Sequence, residues 1–161
     1  MGYYVHIEES NCMLSRKNYA LAYWRMCALN DHDEWKRGGA YGKDEDGNPL
    51  MNKWFSWMDE NYPEICKDAR DVLVELGFDM EETEDGLIIH AYDSKSGQEE
   101  LFLAAISDLM VTVPGSTTPD GDDKPFIVWR GEDDMVWKDI YGEKDVKSLD
   151  GTIVFQERVG D

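Results

Sequence analysis

Hydrophobic and polar positions alternate at both ends of the chain and recur at helical spacing between them. Tyr3-Tyr4-Val5-His6-Ile7 alternates and predicts a strand. Tyr19, Ala22, Tyr23, Met26 and Cys27 share one face of a predicted helix, with Ser15 as its N-cap, ending before Asn30-Asp31-His32-Asp33. Lys36 to Pro49, rich in glycine and acids, reads as a loop. The aromatic run Trp54-Phe55-Ser56-Trp57-Met58 is too short for a period and is assigned to a strand on its rings. Pro63 suits a first helical turn, and Ile65, Ala69, Val72, Leu73 and Leu76 form the clearest apolar stripe in the chain. Gly77 is its expected left-handed stop, with Phe78 folding back on the last turn.

Asp85-Gly86 opens a strand at Leu87 to Tyr92, and Gln98 to Met110 predicts a helix with Leu101, Phe102, Ala105 and Leu109 inward. After a turn-rich loop from Pro114 to Lys124, three strands are expected as a meander. These are Phe126 to Arg130, Met135 to Tyr141 and Thr152 to Gln156. Three βα pairs followed by three strands predict a single α+β domain over residues 1–161. Its two layers are a largely antiparallel sheet and about three helices on one face, ending in a three-stranded meander. No internal repeat is visible.

Charge changes this picture. The chain has 161 residues and a formal net charge of -19, yet residues 1–40 balance five acids with five bases. Asp79 to Asp134 holds 15 acids against Lys95, Lys124 and Arg130, a net of -12. Carboxylates repel phosphates, so direct nucleic-acid binding and docking on anionic lipid are excluded. A content of 12% aromatic residues excludes a disordered acidic tail. The excess charge serves either solubility or a basic partner.

Candidate chemistry is sparse. Gly38-Gly39-Ala40-Tyr41-Gly42-Lys43 fails as a nucleotide loop, because Arg37 stands where its first Gly belongs and Asp44 where Ser or Thr would meet magnesium. Asp44-Glu45-Asp46-Gly47-Asn48 and Asp120-Gly121-Asp122-Asp123 hold clustered oxygens but miss the calcium-loop spacing, and Asx turns account for both. His6, His32 and His90 are scattered, and Cys27 and Cys66 sit beside core stripes where thiols are inert. No catalytic, cofactor or metal signature emerges, and a non-enzyme is expected. Three unpaired cysteines, no apolar run long enough to span a membrane and no signal-peptide pattern predict a cytoplasmic protein. Trp129 and Trp137 flank the Gly131-Glu132-Asp133-Asp134 turn. They are expected to stabilise the sheet, or to act as interface anchors if a ring faces water beside those acids.

The opening Gly2-Tyr3-Tyr4-Val5, Phe55-Ser56-Trp57, Asp85-Gly86-Leu87-Ile88, Glu99-Glu100-Leu101-Phe102, and Trp129-Arg130-Gly131-Glu132-Asp133 followed by Trp137 occur in that order. In this the chain resembles small uncharacterised acidic proteins encoded by bacteriophages and prophages. Those proteins often have Gly where this chain has Asp134. The resemblance implies a mobile-element origin and a bacterial cytoplasm, and transfers no catalytic residue.

The expected function is therefore a phage-type acidic interaction protein. It would bind and inhibit a basic, nucleic-acid-binding host defence protein by mimicking DNA. Its expected contacts are Asp79, Glu81, Glu82, Glu84, Asp85, Asp120, Asp122, Asp123, Glu132, Asp133 and Asp134. The alternative is a non-enzymatic accessory or scaffold protein, oligomeric through its aromatic patches, whose charge serves solubility only. Homo-oligomers fit either reading.

Overall fold

A computed structural model describes residues 3–43, 45–56, 58–95, 98–116 and 124–152. In chain order the elements are β1 (Tyr4–Ser10), β2 (Cys12–Ser15), α1 (Tyr19–Ala28), β3 (Gly38–Lys43), β4 (Pro49–Trp54), α2 (Tyr62–Ile65), α3 (Ala69–Leu76), β5 (Asp79–Glu82), β6 (Gly86–Ala91), β7 (Asp93–Lys95), α4 (Glu99–Ala105), β8 (Met110–Thr112), β9 (Phe126–Gly131), β10 (Val136–Ile140) and β11 (Lys147–Gly151). Every strand pairing is antiparallel, and the fold is α+β.

The strands form two main sheets rather than one, ordered β11-β10-β9-β1-β7 and β5-β6-β2-β8, with β3-β4 as a separate hairpin. Two long strands bend from one sheet into the other. One runs through β1 and β2 and turns at Asn11; the other runs through β6 and β7 and turns at Tyr92. The backbone N–H of Ile7 donates to the Tyr92 carbonyl and holds the two bends together. Asn11 satisfies the bend. Its amide N–H donates to the Lys124 carbonyl and its side-chain oxygen accepts from the Phe126 N–H at 2.7 Å. A register shift between Ile7 and Glu9 adds the local twist that a bulge supplies.

The core lies between these sheets and the helices. Ala22 and Met26 on α1 and Ala69, Val72, Leu73 and Leu76 on α3 are buried, as their spacing predicts. The α3 helix ends in a Schellman motif. Gly77, at φ +120, donates to the Val74 carbonyl, and Phe78 donates to that of Leu73. Phe78, Tyr92 and Trp129 then meet edge-on or tilted, with centroids 4.9 to 6.2 Å apart.

Several elements differ from expectation. The helix after Pro63 is two helices. Asp68 caps the second, accepting from the Asp71 N–H, and the break leaves Ile65 exposed. Ser15 ends β2 and makes no side-chain cap; a 3-10 turn intervenes before α1. Much of Lys36 to Pro49 is strand, and Trp54 closes that hairpin rather than opening a strand of its own. The helix from Gln98 stops at Ala105, and Met110 begins β8. The third meander strand is Lys147–Gly151; of the expected Thr152 to Gln156, only Thr152 lies within the described residues, and it is not in a strand.

Candidate functional site

Apart from Asp79, the described acids singled out from the sequence form two groups, near the two ends of the bent β1–β2 strand. Val5 pairs with Gly131, and Ser15 pairs with Gly86. At about 3.3 Å per residue, the strand between those pairs would span roughly 33 Å if straight, and its bend shortens that. Asp120, Asp122 and Asp123 lie outside the described residues.

At the Gly131 end, Glu132, Asp133 and Asp134 form the β9–β10 loop, and all three are exposed. The Gly131 N–H donates to the Met135 carbonyl and the Asp134 N–H to the Gly131 carbonyl, closing a three-residue loop. Its last residue needs left-handed backbone, and Asp134 takes it at φ +64. A Gly at that position would relieve the strain. Gly131 itself has no room for a Cβ, because the Tyr3 ring and hydroxyl occupy that space. The loop is pinned from outside as well. The Tyr3 hydroxyl donates to Asp133, Arg130 donates to Asp134 at 2.8 Å, and the Tyr4 N–H donates to Glu132. The hydrogen bond to Asp133 pushes the Tyr3 phenol up to about 12 and holds the Asp133 carboxyl below its ordinary range.

At the Gly86 end, Glu81 and Glu82 lie on the edge strand β5, and Glu84 and Asp85 on its turn into β6; Asp79 pairs with Ala91 at the other end of β5, beside the bend, and all five are exposed. Glu82 is paired with Arg16 at 3.7 Å and Arg70 at 3.5 Å. Arg16 also donates to the carbonyls of Thr83 and Glu84, fastening the turn to the start of α1. Asp79, Glu81, Glu84 and Asp85 make no side-chain ion pair among the described residues.

The two tryptophans stand directly opposite each other, on one face of the meander. Trp129 is only 2% exposed and packs into the core, so it is not available as an interface anchor. Trp137 is half-buried and lines a cleft of about 390 Å³ between α4 and the outer strands of the meander.

Besides Trp137, this cleft contains residues the sequence reading did not select. Trp137 and Asp139 alternate along β10 and so share a face, which Tyr141 just after the strand also lines; Ser148 and Asp150 stand opposite Asp139 and Trp137 on β11, and Glu100 lines the cleft from α4. Asp139 is 5% exposed. Its carboxylate accepts from the Ser148 hydroxyl, and burial pushes its pKa up despite that bond. The buried Trp129 indole N–H is close enough to favour the ionised forms of Asp139 and Tyr141, yet it makes no hydrogen bond of good geometry. Strand alternation could have revealed the site, since an acid flanked at i−2 and i+2 by large rings falls on their inward face.

A second cavity, of about 530 Å³, lies beside the β3–β4 hairpin and shares Glu100 with the first. Lys36 and Arg37 line it together with Glu34 and Glu100. Gln98 joins its walls by donating to the Trp35 carbonyl and accepting from the N–H groups of Arg37 and Ser56.

Burial raises the thiols of Cys12, Cys27 and Cys66, as expected of unreactive cysteines. Among the described residues, no three His, Cys, Asp or Glu side chains converge to hold a metal ion. No helix among them is long and apolar enough to cross a membrane. Comparison of the chain with protein-family models, curated proteins and solved structures finds no match.

Proposed function

We propose that this chain is a non-enzymatic binding protein that displays fixed carboxylates to a basic, nucleic-acid-binding partner and inhibits it by occupying its nucleic-acid groove. The resemblance to phage proteins makes a host defence protein in the bacterial cytoplasm the proposed target. The observation that carries the reading is the β9–β10 loop. Three consecutive exposed acids are held there by hydrogen bonds from Tyr3, Tyr4 and Arg130. Carboxylates fixed before binding lose less entropy when they meet lysines and arginines. The acids of β5 and its turn, which apart from Glu82 make no ion pair among the described residues, form a second contact.

The alternative, an oligomeric accessory protein, has its own support. Leu21 and Trp24 lie one turn apart on α1 and are 43% and 68% exposed.

The test is recovery of partners from host lysate at low and high salt, followed by competition with duplex DNA. Under the proposal, a nucleic-acid-binding protein is retained at low salt, released at high salt and displaced by DNA. Charge reversal of Glu132, Asp133 and Asp134 together with Glu81 and Glu82 abolishes the capture. Retention unaffected by these changes, or a salt-insensitive homo-oligomer alone, rejects it.

A further inference from the structure

We propose that the cleft between α4 and the β10–β11 strands binds an organic cation, and that its occupant is an arginine side chain of the partner. The identification with a partner's arginine rests on the basic-partner reading above; the affinity of the cleft for a guanidinium does not.

Three features support the cleft as a cation site. The first is a buried carboxylate with no cationic partner among the described residues. Asp139 is 5% exposed and takes part in no ion pair among the described residues. Acids are almost never buried to this extent without a partner, and the hydrogen bond from Ser148 supplies only part of the lost hydration. Glu100 and Asp150 add negative charge at the mouth, and no Lys or Arg is among the described lining residues. The neighbouring cavity differs in this respect, since Lys36 and Arg37 are among its lining residues.

The second feature is aromatic. Trp137 forms a wall beside the carboxylate. A guanidinium is flat, stacks on an indole face and donates in a fork that matches a carboxylate. The third is size. A volume of about 390 Å³ lies in the range of small-ligand sites, and is ample for one arginine side chain with the water that accompanies it. The buried Trp129 N–H, which makes no hydrogen bond of good geometry, lies near Asp139.

The experiment titrates the full chain with N-acetyl-arginine methylamide and follows the Trp137 indole N–H signal by NMR. The neutral isostere N-acetyl-citrulline methylamide, the lysine analogue and butylguanidine are run in parallel. The arginine probe should give a saturable shift, with citrulline binding at least roughly tenfold more weakly. Trp137→Ala should weaken the arginine probe by on the order of tenfold, read in that variant from the Ser148 and Asp150 amides. Asp139→Asn should weaken it at least as much while the rest of the spectrum stays native. Glu100→Gln and Asp150→Asn, which lie at the mouth and leave the fold intact, should each weaken it roughly threefold. Reversing Glu132, Asp133 and Asp134 should leave probe binding unchanged, although it abolishes partner capture. Failure of the cleft and failure of the acidic-surface reading are thereby separated.

Linear, non-saturating shifts that are the same for the arginine and citrulline probes overturn the proposal. So does undiminished binding to Asp139→Asn, which would make that carboxyl a self-satisfied structural group. Tighter binding of butylguanidine than of the capped arginine, at equal charge, overturns the partner assignment, because a side chain presented on a backbone must then fit worse than the same guanidinium without one.

Discussion

The inner and outer halves of the C-terminal meander have the same pairing pattern and opposite surroundings. In β9, Phe126, Ile127 and Trp129 are buried, and Trp129 packs against Phe78 and Tyr92. In β11 every residue is exposed, and β10 between them is mostly half-buried. A strand of the inner half is held by core packing. A strand of the outer half is held chiefly by its ladder, and so can carry polar groups with little loss of stability. The acids follow this division. Glu132, Asp133 and Asp134 are solvated at the loop, whereas Asp139 faces inward where the outer strands meet α4.

The Trp129–Trp137 pair offers the largest test. Trp129→Ala removes a core side chain and should cost about 3–5 kcal/mol in denaturant unfolding. Trp137→Ala, at a half-buried position directly opposite, should cost about 1–2 kcal/mol. Equal losses would break the distinction between the two halves.

Asp139→Asn is the next in size and has the opposite sign. The folded-state pKa of Asp139 is raised, chiefly by burial, so the folded protein holds this proton after the unfolded chain has released it at about pH 4. Stability therefore falls as pH rises from about 4 to the folded-state pKa, and the loss persists above it. The asparagine variant lacks that loss. It should be the more stable protein at pH 7, with the advantage shrinking toward pH 4, as measured by denaturant midpoints across that range. A less stable variant at pH 7 would show that the cleft already compensates the charge.

The same division explains how much could be read from the sequence. The stripes of α1 and α3, the stop at Gly77, and strands β9 and β10 each have one apolar face against the core, and their periods show it. In β2, Cys12, Met13 and Leu14 are all buried, so a central strand with both faces covered shows no alternation. In β3, Gly38, Gly39 and Gly42 leave few side chains to alternate, and backbone pairing makes the hairpin. In β5 and β11 the strands are edges made largely of exposed polar residues, which sequence patterns cannot tell from loop. The acid groups were legible as residues. Their separation was not, because it depends on the register of a strand that changes sheets at Asn11.

Asp134→Gly is a smaller test, confined to the loop. Glycine takes φ +64 without the strain an L side chain meets there, but the bond from Arg130 is lost. Relief of backbone strain should outweigh loss of an exposed ion pair, so the melting temperature should rise slightly. A fall would mean that the Arg130 bond, rather than the backbone, sets the loop.

The smallest effect is spectroscopic. Tyr3 donates to Asp133, and that bond more than any burial pushes the phenol up to about 12 from its ordinary 10. An ultraviolet titration of the wild type should therefore contain one late-ionising tyrosine that Asp133→Asn moves back toward 10. The buried tyrosines Tyr62, Tyr92 and Tyr141 are also raised, but by burial, and Asp133→Asn should leave them alone. The difference between variant and wild type thus isolates Tyr3. If the two titration curves coincide, the loop is not pinned from β1 and its three carboxylates move independently. The entropic advantage claimed for them in binding a basic partner would then be lost.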